Sequence, residues 1–331
     1  MKKYYAIAIS FFILALAAAP LLALNHAPAE PPMPQLPTAA APADPDSEPE
    51  PQEEKSDNSF RMKLTESGEI IEIPAREYVF GVVAAEMSML SHDEALKAQA
   101  VAAYTYAVYC AAKSQEDFEI TDDPSLHQAF LTRAEAMEKW GEKAEEYAAR
   151  LDSITWATQG LILTYDSAPI LAAYHDTSCG RTLPASAVWG GDYPYLISVE
   201  SAGDLISPSF KKVQTFSEAD FAEICKKYGI SLSGEAQNWV SAPQLDEFGA
   251  VRSIKICESE ISGADARKIF GLRSAAFDIS FSSEEGFKFT TRGYGHGVGM
   301  SQTGANYMAL CGSPYTEILA WYFPETKLEK H

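Results

Sequence analysis

Basic residues are scarce in this chain: Lys and Arg together number 26 against 46 Asp and Glu, a formal net charge of -20. No cationic face broad enough to follow a phosphate backbone can be assembled from that balance, so nucleic acid is excluded as an expected partner. Cysteine is scarce too. The 5 present, Cys110, Cys179, Cys225, Cys257 and Cys311, stand far apart with no CxxC pair, which excludes a zinc ribbon and a dithiol redox site. An odd count leaves at least one thiol unpaired, and a disulfide among the others stays open. No HExxH pair occurs, and a G-x-G-x-x-G fingerprint begun at Gly293 or Gly295 would need glycine where Val298 or Met300 stands, so neither a zincin nor a phosphate-cradling loop is supported. No internal repeat is found.

The chain opens with Lys2 and Lys3 followed by an uncharged apolar run from Tyr4 to Leu24. That length suits a membrane span better than the shorter apolar core of a signal peptide, and the lysines place the amino terminus inside. Residues 1–24 are therefore expected to form a transmembrane helix, with a cleaved signal ending near Ala17 to Ala19 as the alternative. Residues 25–58, rich in Pro, Ala and acid, are expected to be a disordered tether. The folded part should run from 59 to 331, and an apolar fraction of 47% supplies it with a real core.

Within that part, a hairpin turning at Glu66 to Gly68 leads into a mostly buried helix over EYVFGVVAAEM. A capping box of Ser91 and Glu94 predicts the start of a long alanine-rich helix. An amphipathic helix from about Arg133 to Ser153 follows, then a hairpin turning at Asp166 to Pro169 whose second strand ends at His175. Further strands over VRSIKICES and FDISFSS, with helices starting near Ser217 and over SGADARKIFGL, do not alternate regularly. The fold class is α+β, with mixed helices and antiparallel strands.

Arg292 to Ala305 reads RGYGHGVGMSQTGA, with glycine at 293, 295, 297 and 299. In an extended segment these share one bare face, opposite Tyr294, His296, Val298 and Met300. Such a face lets a ligand or another backbone come close, and the spacing alone leaves both readings open. A helix should start after Met300.

AREYVFGVVAAEM, ALKAQAVAAYTYA, AYHDTSCGRT, ISGADARKIFGL and GYGHGVGMSQTGANYMALCG, in this order, resemble the stage II sporulation protein D family. The resemblance covers nearly everything from Arg61 to Leu328. It implies a membrane-anchored lytic transglycosylase that cuts peptide-stripped peptidoglycan glycan strands to 1,6-anhydro-muramic ends during sporulation engulfment, in the mother-cell membrane with its folded part extracytoplasmic. It assigns the catalytic acid to Glu86, whose apolar neighbours Val82, Val83, Met87 and Met89 would keep a carboxyl protonated. His296, Gln302 and Tyr294 are the expected substrate contacts, with His175 and Ser178 behind them. No cofactor is expected. Nor is a structural zinc, since of the Cys and His group that some members carry only His127 is left, beside Asp122 and Asp123. The implied partners are a SpoIIM-like membrane protein and a SpoIIP-like amidase or endopeptidase. Tyr104 stands where the family commonly has arginine, expected near the cleft, and Asp176 and Cys179 replace small residues. A non-catalytic enhancer of a wall amidase is the alternative function.

Overall fold

The computed structural model describes residues 58–331; the anchor and nearly all of the tether lie outside the described residues. Among the described residues no helix is long and apolar enough to cross a membrane.

Strand β1 (Ser59–Lys63) pairs antiparallel with β2 (Ile70–Pro74) across the expected turn, and helix α1 (Ala75–Glu86) follows directly. Helix α2 (Asp93–Lys113) starts one residue later than the capping box predicted. Its cap is His92, whose ring accepts from the Glu94 backbone N–H, while the Glu94 carboxylate is drawn away to Lys97 and to the Tyr315 N–H. Strand β3 (Ile120–Thr121) joins β1 in parallel. Helices α3 (Arg133–Trp140) and α4 (Ala144–Thr158) take the place of the one amphipathic helix expected. The break is at Gly141, which at φ +56 ends α3.

The next hairpin forms only its beginning. Strand β4 (Leu161–Tyr165) turns through Asp166 and Ser167, both at positive φ, into a two-residue β5 (Ala168–Pro169). The last rung of this ladder is the Ile170 N–H donating to the Leu163 carbonyl at 3.1 Å. The chain detaches, and β6 (Tyr174–His175) instead lies parallel to a distant strand of the glycine segment. A single helical turn α5 (Ala185–Val188) comes next.

From β7 (Lys211–Phe216) to β12 the chain builds a second lobe. It holds α6 (Glu218–Lys227), β8 (Gln244–Leu245), β9 (Val251–Ile256), β10 (Ser259–Ser262), α7 (Gly263–Ile269), β11 (Phe277–Ser282) and β12 (Gly286–Arg292). Two three-stranded antiparallel sheets, ordered 10-9-8 and 11-12-7, enclose Phe221, Phe270, Phe287 and Trp239. The chain then returns through β13 (Met300–Ser301), α8 (Gln302–Leu310), α9 (Tyr315–Tyr322) and β14 (Lys327–Lys330), which closes antiparallel on β4. This part shares the first hydrophobic core with α1 and α2. The fold class is α+β, with two short parallel pairings among antiparallel sheets.

Candidate active site

Gly81 sets the position of the site. A side chain there would meet the Phe130 ring at 2.2 Å and the Leu131 carbonyl at 2.4 Å, so only glycine lets the 128–131 segment lie flat on α1. Leu131 N–H donates to the Gly81 carbonyl at 3.2 Å, and Phe130 stacks on Tyr78. This contact delivers the Ala129 N–H to Glu86, the last residue of α1, whose Oε1 accepts it at 3.1 Å. Glu86 is half-buried, and burial raises its pKa above the ordinary carboxylate value. Its place at a helix C-terminus, beside the negative end of the dipole, acts in the same direction. Hydrogen bonds from Ala129 and Gln302 act against it, and Asp176 raises it further.

Gln302 is the first residue of α8, capped by Ser301. It is buried, bonds to Glu86, and its Nε2 donates to Gln99 Oε1 at 3.3 Å. Gln99 comes from the middle of α2, where Ala95, Ala98, Ala102 and Ala103 leave room for another helix to approach. Tyr174 reaches Glu86 Oε1 from β6 at 3.5 Å, and its hydroxyl donates to Gln128 Oε1 at 2.8 Å. A groove of about 390 Å³ opens over this cluster, lined by Glu86, Asp176, Gln302, Asn306 and Tyr307. Ile206 and Leu310 form an exposed apolar rim.

The glycine segment is not a bare strand face. Gly293, Gly295, Gly297 and Gly299 all take positive φ, from +72 to +114, which lets the chain wind tightly against residues 173–183. A side chain at Gly299 would lie 2.0 Å from the Ala173 carbonyl, and one at Gly293 would lie 2.6 Å from that of Thr177. What comes close is neighbouring backbone at Gly293 and Gly299, and the His175 and Leu183 side chains at Gly295 and Gly297. The glycines hold β6 in place, and β6 carries Tyr174 and Asp176's neighbour His175.

His296 and His175 grip one residue of the backbone from both sides. His296 Nδ1 accepts the Val298 N–H at 3.1 Å, and His175 Nδ1 donates to the Val298 carbonyl at the same distance. A further hydrogen bond joins His296 to the Tyr174 backbone. Burial keeps both neutral, pushing the His175 pKa down to about 3 and that of His296 to about 4. Neither lines the groove; the His296 ring packs at 4.9 Å from Trp189. Ser178 is buried, its N–H donating to Asp204 Oδ2 at 2.9 Å. Tyr294 is exposed under the Arg273 guanidinium, 5.0 Å from its ring centre. Of the expected site residues, then, Glu86 and Gln302 come together in the groove, and the other four stand elsewhere around the segment that supports it.

Tyr104 faces away from the groove, packed edge-on against Phe60 with its hydroxyl 3.2 Å from His331 Nδ1. The expectation that it sits by the cleft is corrected: that position of α2 belongs to the core under β1. His127 bonds to Thr121, and among the described residues no three His, Cys, Asp or Glu side chains gather as a metal-binding group. All 5 cysteines are unpaired.

Four residues of the site escaped sequence reasoning. Tyr174, Gln128 and Asp176 lie in irregular segments with no periodicity to assign them a face. Asp204, fully buried, accepts from the Ser178 N–H and from Ser301 Oγ at 2.8 Å, tying the α8 cap to the 178 loop. A lone aspartate among small residues, in ESAGDLIS, was its only signal.

A family model for stage II sporulation protein matches residues 64–165. The chain is 36% identical to stage II sporulation protein D of Bacillus subtilis over 276 residues, 82% of this chain and 79% of that protein. It is 38% identical to stage II sporulation protein D of Bacillus amyloliquefaciens over 284 residues, covering 83% and 79%. It is also 25% identical to an amidase enhancer of Bacillus subtilis over 302 residues, 76% of this chain but 40% of that protein.

Proposed function

The chain belongs to the stage II sporulation protein D family, a sporulation family, and from that premise we propose that the Glu86 groove is the active site of a peptidoglycan lytic transglycosylase. The observation that carries the reading is Glu86 itself: a carboxyl whose pKa burial raises, opening on a groove of about 390 Å³. Glycosidic cleavage needs a group that still holds its proton near neutrality.

In the proposed reaction Glu86 gives its proton to the bridging oxygen as the bond from that oxygen to the anomeric carbon breaks. The carboxylate left behind takes the proton of the muramic 6-hydroxyl while that oxygen closes on the same carbon. The proton count is restored, no water is consumed, and the product carries a 1,6-anhydro end. Gln302 orients the acid, since its amide is held between Glu86 and Gln99. Tyr307 and the Ile206–Leu310 rim offer apolar surface to sugar rings and their N-acetyl methyl groups.

Asp176 favours a second reading. It lines the groove with Glu86, and a pair of carboxylates is what a hydrolytic glycosidase uses. The membrane anchor, the substrate's stripped peptides, and the SpoIIM-like and SpoIIP-like partners belong to the same proposal. One experiment separates the readings: peptide-free glycan strands are incubated with the protein and the fragments are weighed by mass spectrometry. Anhydro ends that disappear in Glu86→Gln support the transglycosylase. Reducing ends lost in Asp176→Asn support the hydrolase. Intact strands together with stimulation of an added wall amidase overturn both in favour of a non-catalytic enhancer.

A further inference from the structure

Behind Glu86 stands a buried chain of polar groups that the reaction above leaves unused. Gln128 lies between Tyr78 and Tyr174, and its orientation is fixed by Ala103. A backbone carbonyl only accepts, so the amide atom 3.2 Å from the Ala103 oxygen is the nitrogen. The same nitrogen donates its second hydrogen to the Tyr78 hydroxyl at 2.8 Å. The amide oxygen of Gln128 therefore faces Tyr174 and accepts the phenol's hydrogen at 2.8 Å. A phenol has one hydrogen to give. What Tyr174 turns toward Glu86 Oε1, 3.5 Å away, is a lone pair.

We infer that Gln128 is a positioning residue which, by claiming the Tyr174 hydrogen, makes that tyrosine an acceptor toward Glu86 and so favours the proton-carrying form of the acid. A tyrosine beside a carboxylate ordinarily donates and favours ionisation; Gln128 reverses the sign. The same lone pair opposes the carboxylate left after proton transfer, strengthening it as the base of the second half-reaction. The inference rests on the reading of Glu86 as the acid.

Other groups face Glu86 as well. The Ala129 N–H and the Gln302 amide favour the ionised form, while Asp176 across the groove favours the neutral one. From α3, Lys139 Nζ donates to the Ala84 carbonyl at 3.0 Å, one of the free carbonyls at the end of α1. None of these is bonded by the Gln128 side chain, whose partners are Tyr78, the Ala103 carbonyl and Tyr174, and of those three only Tyr174 reaches Glu86, so a substitution there reads the contribution of the phenol's orientation.

The test reads the carboxyl directly and needs no glycan. Protein labelled with ¹³C at the glutamate side-chain carboxyls is titrated by NMR, the Glu86 signal being the one missing in Glu86→Gln. In Gln128→Met the phenol is released to donate to Glu86, and the midpoint should fall by about one pH unit, a tenfold change in proton affinity. In Tyr174→Phe the lone pair is lost without a donor taking its place, so the midpoint should fall by less. In the double variant it should match Tyr174→Phe alone. An unchanged or raised midpoint in Gln128→Met, or a fall of the same size in the Tyr174→Phe background, overturns the inference. Should Gln128→Met fail to fold, Tyr174→Phe decides by its sign: a raised midpoint means that Tyr174 donates to the carboxylate. Because the titration is independent of any cleavage assay, it can stand if the transglycosylase reading falls, and fail if that reading holds.

Discussion

The two lobes are built on opposite principles. The first packs α1 and α2 through alanine, valine and glycine, so that backbones come close and polar side chains such as Gln99, Gln128, His175, Asp204 and Gln302 are enclosed between them. The second encloses stacked aromatic rings: Phe287 lies 3.9 Å from Phe221, and Trp239 is nearly parallel to it at 5.8 Å. Its only buried polar side chains are at its borders, Ser274 and Thr291. Every buried polar group costs free energy unless its partners are in place, so the first lobe gives up stability to hold its polar cluster in one geometry. The second has no such demand and maximises apolar contact.

Substitutions can break or sharpen that contrast. The largest effect is expected for Glu86→Gln, which should lower the glycan cleavage rate by about 10²- to 10⁴-fold without lowering the melting temperature at neutral pH. The sign follows from linkage. A carboxyl whose folded pKa is raised binds its proton more tightly in the folded state, so its ionisation costs stability as pH rises through the raised value. The uncharged amide escapes that cost.

Phe287→Ala should do the reverse. About 3 to 5 kcal/mol of stability should be lost, measured by denaturant unfolding, with the cleavage rate per folded molecule unchanged. A matching loss of rate would show that the lobes are coupled more tightly than their separate cores imply.

Acid should also distinguish them. His175 and His296 are buried neutral, with pKa values lowered from 6.5 to about 3 and about 4. The unfolded chain therefore binds more protons between those limits, and stability falls as pH drops below about 6.5, with the loss deepening toward about 4. On the order of 3 kcal/mol for each histidine is at stake by about pH 4, all of it in the first lobe. Hydrogen exchange across that range should show amides around Val298 losing protection before those of β11 and β12.

The smallest effects compare two helix caps. Ser262 caps α7 in the second lobe by accepting the Asp265 N–H at an exposed site, and Ser262→Ala should cost about 1 kcal/mol. Ser301 caps α8 but also donates to buried Asp204. Ser301→Ala should cost about 2 to 3 kcal/mol, because a buried carboxyl loses its partner as well. Equal costs would erase the contrast.

Local chemistry was legible in the sequence where local forces decide. The turn at Glu66 to Gly68, the Ser217 cap of α6 and the helix after Met300 all follow from near neighbours in the chain. The burial of Glu86 was legible through its apolar neighbours. Distant partners decided the rest. Glu94 is held by Lys97 and the Tyr315 N–H, so it is not available to the box with Ser91. Tyr174 pairs through β6 with Met300, far along the chain, instead of finishing a hairpin. The glycine segment announced a close approach but not what approaches, which is the 173–183 segment. Gln128 becomes meaningful only once Ala103, Tyr78 and Tyr174 surround it, and no spacing in the sequence encodes that meeting.

The second lobe leaves and rejoins the first along one ladder. Lys211 opposes Arg292 in the β7–β12 register, and the next step outward is the Gly293 N–H donating to the Phe210 carbonyl at 2.7 Å. Antiparallel neighbours lie about 5 Å apart, a gap that a tight turn spans. The join is thus a natural splice point: a chain shortened there by recombination would reach the next residue of the framework without stretching, and one lengthened there would disturb only the stem.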